Sequence, residues 1–156
     1  MKKIFKLFVS VVMLVLVAAV TACATAPVSD EESAYAPRIP HERIFFTTTP
    51  KSTNPPARVI FIRDVGFTGT AVDFHLSLDG KRDASLAPGE RWEIELAPGV
   101  YLFGVIPTNI LGEHAEYVLD QTLLTGQEYH YRLLAAIWSG VRIQRSSVVN
   151  RKESAP

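Results

Sequence analysis

Hydrophobic and polar residues alternate with a period of two in much of the chain between Ala57 and Ser146. The alternation is clearest over 72–78, 91–96 and 128–133. Because successive side chains of a strand point to opposite faces, each of these segments predicts a half-buried β-strand. No segment in this part of the sequence has a sustained helical period, so the pattern favours an all-β domain.

Short turn signals separate the predicted strands. Asp79-Gly80 is the strongest, because both central residues of a type I′ hairpin turn need a positive φ. Further turns are expected at 87–90, 97–99 and 125–127. This spacing gives about eight strands in roughly ninety residues, as in a two-sheet antiparallel β-sandwich with immunoglobulin-like connections.

Two features of the predicted strands concern the core. The run 100–106 is apolar on both faces, so we expect this strand at the centre of a sheet. The inward rows carry five aromatic residues that we expect in the core: Trp92, Tyr101, Phe103, Tyr129 and Tyr131.

The N-terminal segment has the pattern of an export signal. Three lysines lie within the first six residues, and 7–20 is an apolar run. The segment Val20-Thr21-Ala22-Cys23 ends in the only cysteine of the chain. This tetrapeptide resembles the lipobox of bacterial lipoproteins. The resemblance implies a signal peptide over 1–22 and acylation of Cys23 as the mature N-terminus.

Three other interpretations of this segment stay open. Residues 7–26 are uncharged and about long enough to span a bilayer as an uncleaved anchor, although the apolar character fades after Val20. Ordinary secretory cleavage fits the small residues around Cys23. A buried structural cysteine is the third possibility.

Lipidation would also set the destination of the protein. Two or three acyl chains on Cys23 make a stable membrane anchor, since each buried methylene contributes about 0.8 kcal/mol. Ala24 stands where inner-membrane lipoproteins usually carry Asp. By resemblance to that sorting rule, we expect the outer membrane facing the periplasm, or the outer cell surface if the organism has one membrane.

The chain divides into four parts by composition. After the signal peptide, 23–56 is rich in Pro, Ser and Thr, which predicts a lipidated N-terminus and a tether. Within it, Ile44–Phe46 predicts either a short edge strand docked on the domain or a recognition segment. The β-sandwich is expected over 57–146 and a polar tail over 147–156.

Charge and cysteine content exclude some classes of partner and bond. The precursor has 16 basic and 16 acidic residues, and loss of the signal lysines leaves a net charge of −3. No basic patch suits a phosphate backbone, so we expect no nucleic-acid partner. With Cys23 acylated, no disulfide can form, so the fold must rely on packing.

The sequence holds no familiar catalytic signature. It lacks the Gly-x-Ser-x-Gly and Ser-x-x-Lys patterns of serine acylation. His41-Glu42 lacks the second histidine of a zinc-binding helix. His75, His114 and His130 are isolated and face outward by alternation, so we expect neither a metal nor a cofactor.

Paired carboxylates remain the alternative source of chemistry. Glu93 and Glu95 share one strand face, and Glu116 and Asp120 share another. Such pairs can serve glycoside hydrolysis when both face one cleft. Outward acidic alternation is also the ordinary way to keep a sheet face soluble.

Two aromatic residues at predicted loops are candidate partner contacts. Trp138 borders the turn at Gly140, and Phe67 lies between Gly66 and Gly69. Either side chain could stack on a sugar or anchor a protein partner. Each could equally cap one end of the sandwich.

Turn and core positions recur over about 57–134, in Ala57-Arg58-Val59 with Arg63 and in four segments: 78–81, 86–90, 96–101 and 126–132. This pattern resembles the bacterial domain of unknown function 2846, a family consisting largely of small β-sandwich lipoproteins. The resemblance implies fold and compartment, and it transfers no activity and no functional residues.

These observations lead to one principal hypothesis and two alternatives. The principal one is a lipid-anchored, non-catalytic β-sandwich that binds an envelope protein or glycan. One alternative is a small cell-envelope hydrolase or lytic accessory protein that uses surface carboxylates and histidine. The other is a purely structural envelope component.

Overall fold

The computed structural model describes residues 35–46, 53–65, 72–109, 112–136 and 140–150. The signal peptide predicted over 1–22 lies outside these ranges, as do Cys23, Phe67 and Trp138.

Nine strands occur in the described part of the chain, and one of them has only two residues. They are β1 (Ala57–Arg63), β2 (Asp73–Leu78), β3 (Lys81–Leu86), β4 (Arg91–Leu96), β5 (Gly99–Asn109), β6 (Gly112–Glu113), β7 (Tyr117–Leu123), β8 (Gln127–Ala136) and β9 (Gly140–Asn150).

The strands form two sheets packed as a sandwich, which confirms the predicted fold class. Sheet 1 has the order β4-β1-β8-β9. Sheet 2 has the order β3-β2-β5, and both β6 and β7 pair with β5. All neighbouring strands are antiparallel except β1 and β8, which run parallel. The chain reaches β8 from β7 of sheet 2 and not through a hairpin from β1. Only a hairpin connection would force β1 and β8 to be antiparallel.

Two local features follow directly from the sequence. Asp79 has φ 51° and Gly80 has φ 76°, as the predicted β2–β3 hairpin turn requires. The Tyr101 hydroxyl donates to the Ala97 carbonyl at 2.8 Å, where the chain passes from β4 in sheet 1 to β5 in sheet 2. This contact resembles the tyrosine corner of immunoglobulin-like sandwiches.

The core is an aromatic cluster between the sheets. Phe61 stacks with Trp92 and Tyr131 and meets Phe103 edge to face, with ring centroids 5.1 to 5.9 Å apart. The predicted inward positions are confirmed, because Trp92, Phe103, Tyr129 and Tyr131 are buried and Tyr101 packs against them. As expected, β5 is central, between β2 and β7.

One end of the core contains a buried cation. Arg63 is 2% exposed and donates to the carbonyl of Leu86 at 2.6 Å and to that of Val72. Its guanidinium lies 3.9 Å from the ring centroid of Phe74. Burial lowers the pKa of Arg63 to about 10, so the group stays charged at neutral pH. Arg63 therefore joins the end of β1 to the start of β2 and the end of β3.

Part of the predicted tether packs against the sandwich. Pro37 and Ile39 exchange backbone hydrogen bonds with Arg91 at the edge of sheet 1. After a 3₁₀ turn at His41–Arg43, Phe45 donates to the carbonyl of Asp83 at the edge of sheet 2. We call residues 37–45 the strap, because they bridge the edges of both sheets and bury Ile39 between them.

Two other boundaries differ from the sequence analysis. Strand β5 continues beyond the apolar run 100–106 to Asn109 and forms a small hairpin with β6. The last strand extends to Asn150, beyond the expected end of the sandwich at 146, because 147–150 pair with β8 past a bulge at Ser146. Residues 146–150 do not alternate with a period of two, so the sequence pattern does not mark this end.

Candidate functional site

The outer face of sheet 1 has the densest cluster of ionisable side chains among the described residues. Register places Glu93, Ile60 and His130 side by side on β4, β1 and β8. Arg58 lies two residues before Ile60 on the same face of β1, and it is paired with Glu128 of β8. We call the charged set the ion-pair network; its members are Arg38, Arg58, Arg91, Glu93, Glu128 and His130.

Arg58 is the centre of this network. It donates to Glu93 at 2.8 Å and to Glu128 at 2.9 Å, so it joins β4 to β8 across β1. Glu93 also pairs with Arg38 of the strap at 3.0 Å and with Arg91 at 3.2 Å. Three cations therefore surround one carboxylate, and the apolar side chain of Ile60 is buried beneath them.

The network keeps its carboxylate ionised. Burial alone would raise the pKa of Glu93, but the hydrogen bond from Arg58 and the charges of Arg58, Arg91 and Arg38 outweigh burial and hold it below its usual range. The hydrogen bond with Glu93 in turn raises the pKa of Arg58. A carboxyl group held ionised in this way is unsuited to act as a general acid at neutral pH.

His130 and Glu128 form a histidine–carboxylate pair. Nε2 of His130 lies 2.8 Å from Oε1 of Glu128, whose other oxygen accepts from Arg58. Nδ1 of His130 is buried without a hydrogen-bond partner among the described residues. A relay to a nucleophile would need that second nitrogen within reach of a hydroxyl or water. The geometry instead places His130 at the end of a chain of contacts that runs from Glu93 through Arg58 and Glu128 across sheet 1.

A second ion pair lies at the end of β1 in the same sheet. Asp64, directly after β1, accepts from Nε of Arg132 at 3.0 Å and also from its Nη2. The carboxylate is almost fully buried, and its backbone N–H donates to Leu133. This two-point contact fixes the end of β1 against β8.

The outer face of sheet 2 is organised differently. Glu116, in the segment before β7, lies over Gly104 and accepts a hydrogen bond from the buried Ser77 hydroxyl. A Cβ at Gly104 would overlap with Oε1 of Glu116 and with Oγ of Ser77. Glycine at this position therefore lets the carboxylate reach the serine.

Three apolar side chains are exposed beside this contact. Val100 is 64% exposed, Leu102 45% and Val118 49%. Strand register places Val118 diagonal to Leu102, while Asp120 lies opposite Leu102 and Thr122 opposite Val100. We call these three residues the apolar patch. No described element packs over the outer face there, although β5 is central in its sheet as expected.

The structure places only some of the residues singled out in the sequence. Cys23, Phe67 and Trp138 lie outside the described residues. His75 is half-buried on sheet 2 and 3.3 Å from the Thr108 hydroxyl, and His114 is exposed. The three histidines do not converge.

The carboxylate pairs face outward as predicted, but their surroundings differ from a solvated sheet. Glu93 is enclosed by arginines while Glu95 is exposed, and Glu116 is held over Gly104 while Asp120 is exposed. Within the described ranges, no group of three or more His, Cys, Asp or Glu side chains gathers where a metal could bind.

The arginines of the ion-pair network were not among the residues predicted from the sequence. Their signal was present, because Arg58 and Arg91 stand at outward positions on strands, where cations can pair with Glu93 and Glu128. What was missing was the register that brings β4 and β8 to the two sides of β1.

Comparison with known proteins adds no family. No protein-family model and no curated protein matches the chain. None of the residues that the structure describes belongs to a helix long and apolar enough to cross a membrane.

Proposed function

We propose that the protein is a lipid-anchored envelope lipoprotein whose β-sandwich acts as a non-catalytic binding module. The lipobox-like segment ending in Cys23 supports the anchor, and the resemblance to the domain of unknown function 2846 supports the compartment. By the sorting rule, the proposed location is the outer membrane facing the periplasm.

The observation that carries this proposal is the position of the strap. The chain is hydrogen-bonded to the sandwich from Pro37 onward, so only 24–36 separate the fold from Cys23. Even fully extended, a segment of this length spans at most about 50 Å. The expected tether over 23–56 is thereby shortened, and the anchored sandwich would work close to its bilayer.

The apolar patch is the surface that we propose for partner binding. Adjacent exposed apolar side chains on a sheet face mark interaction surfaces in soluble proteins. The patch is aliphatic, which suits an envelope protein better than a glycan. Tyr35, Phe45 and Phe46, on and beside the strap, are also exposed, and a glycan could stack on these aromatic side chains.

Cross-linked pull-down from envelope extracts tests the binding function. Wild-type protein should recover a partner, and Leu102→Asp should lose it. Thr125→Asp is the control, because it introduces the same charge at an exposed and already polar turn residue outside the apolar patch. Equal recovery by wild type and Leu102→Asp, or recovery of nothing by wild type, would contradict the proposal.

The alternative function is a small cell-envelope hydrolase or lytic accessory protein. The observation in its favour is the 2.8 Å contact between Glu128 and His130. Against it, Glu128 is already paired with Arg58 and Nδ1 of His130 is enclosed. Release of soluble fragments from purified cell-wall glycan, abolished by Glu128→Gln, would establish the hydrolase and overturn the binding module.

A further inference from the structure

The two sides of the sandwich are protected unequally. On one side, the strap hydrogen-bonds to the edges of β3 and β4. On the other side, β7 pairs only with β5 and β9 only with β8 within the described part of the chain. Strand β9 has eleven residues, and its Val148 and Val149 are exposed. Long edges of this kind are pairing surfaces.

We propose that this side binds a second copy of the chain about a twofold axis parallel to the strands, so that β9 of each copy lies along β7 of the other. The two junctions would be identical by symmetry, and the assembly would be a closed dimer. Sheet 1 of each copy would continue into sheet 2 of its partner.

Strand direction is compatible with this arrangement. Strand β9 is antiparallel to β8, which is parallel to β1, so β9 runs opposite to β1. Arg63 at the end of β1 holds Val72 at the start of β2, so β2 also runs opposite to β1. Strand β7 has the direction of β2 through β5. A twofold axis along the strands keeps direction, so β9 and the partner's β7 would pair in parallel.

Charge selects β7 rather than a second β9 as the neighbour. The segment 140–150 contains Arg142 and Arg145 and no acidic residue, whereas β7 contains Asp120 and no lysine or arginine. Pairing of β9 with β9 would gather like charges, and pairing of β9 with β7 brings opposite charges together.

Asp120 on β7 and Arg142 on β9 also lie at similar positions along the strand axis. Gln121 accepts from Tyr131 at 2.9 Å and lies 3.5 Å from the Arg145 guanidinium, so β7 and β9 are level at these residues. A rotation about an axis along the strands preserves that level. Asp120 and Arg142 both point to outer faces, about two residues apart in height, within reach of an arginine side chain. Both are exposed, and neither has an ion-pair partner among the described residues.

The test is charge reversal on the full chain purified in detergent, with mass measured by light scattering after gel filtration. Wild type should be a dimer. Asp120→Arg and Arg142→Asp should each weaken the dimer about tenfold or more, and the two changes together should restore it. Lys81→Glu, an exposed reversal on β3 beside the strap, should leave the dimer intact.

Cross-linking distinguishes the two possible junctions. In a Cys23→Ser background, an engineered cysteine is the only thiol of the chain. A short bis-maleimide should join Gln144→Cys chains to Thr122→Cys chains when both are mixed. A monomeric wild type, a dimer indifferent to both single reversals, or cross-linking of Gln144→Cys chains alone would overturn the proposal.

Discussion

Asp83 is a buried carboxylate whose burial is incompletely compensated by hydrogen bonds. It is 2% exposed at the bulge of β3, and one carboxylate oxygen is buried without a hydrogen-bond partner in the described structure. Burial raises the pKa of Asp83 to about 6, although a backbone hydrogen bond at Leu78 and the charge of Lys81 oppose the shift. The raised pKa means that folding favours the protonated carboxyl group.

This shift predicts a pH dependence of stability. Below pH 4 the Asp83 carboxyl group is protonated in both the folded and the unfolded state, and its burial carries no charge penalty. Above pH 6 it is ionised in both states, and the folded state pays the desolvation cost of the buried charge. Stability should therefore fall as pH rises from 4 to 6. Asp83→Asn should raise the free energy of unfolding at pH 8 by about 2 kcal/mol and leave it unchanged at pH 4.

Urea unfolding of both proteins at the two pH values measures this effect. Glu42→Gln is the control, because it makes the equivalent change from carboxylate to amide at an exposed position outside the proposed interfaces. An Asp83→Asn variant that is equally stabilised at pH 4 and pH 8 would show that the effect does not come from ionisation.

Gly104 gives a second prediction for a single residue. Gly104→Ala would place a methyl group against Glu116 and Ser77, so we expect a loss of about 1 to 3 kcal/mol. In a Ser77→Ala/Glu116→Ala background the same change should cost much less, because the atoms in its way are gone. An equal cost in both backgrounds, by denaturant unfolding, would mean that another contact is responsible.

The strap is the element that most changes the interpretation of the sequence. Ile39 is its buried anchor, so Ile39→Ala should destabilise the strap by about 2 to 4 kcal/mol. Hydrogen exchange should speed up at the amides of Arg91 and Phe45, which the strap pairing protects. Tyr35→Ala, at a residue that is 89% exposed, should change neither. Unaltered exchange in Ile39→Ala would contradict a docked strap.

The ion-pair network gives a prediction for sheet 1. Because Glu93 has a depressed pKa, its contribution to stability is present above its unfolded pKa and is lost as pH falls through the folded value. Arg58→Ala should therefore destabilise the protein by about 1 to 3 kcal/mol at pH 7 and by less at pH 3. Thermal unfolding at both pH values measures the difference, and a cost independent of pH would point to lost packing by the arginine stem instead.

The positions of the strands along the chain were easier to predict from the sequence than the way the strands pair. Alternation and Pro-Gly turns located β2, β3, β4 and β8, because period and turn chemistry are local properties. The parallel pairing of β1 with β8 and the docking of the strap depend on contacts between distant segments, which no local pattern encodes. Pro37 and Pro40 indicated a tether, but Ile39 between them is apolar and packs into the core of the sandwich.

The candidate sites show the same limit. Outward positions of Glu93 and His130 followed from alternation, but their neighbours depend on strand order. The apolar patch was hidden in a run that looked central, since the sequence cannot tell which face of a central strand is covered.

For the whole molecule, the central claim is a sandwich held at a bilayer by an acylated Cys23. Intact mass of the membrane-extracted protein tests it directly, because it reports the cleavage site and the acyl chains together. We predict the mass of 23–156 plus two or three acyl chains, and for Cys23→Ser an uncleaved chain without them. A wild-type mass with no acyl addition, or a Cys23→Ser protein that differs only by sulfur and oxygen and still partitions with membranes, would contradict the account.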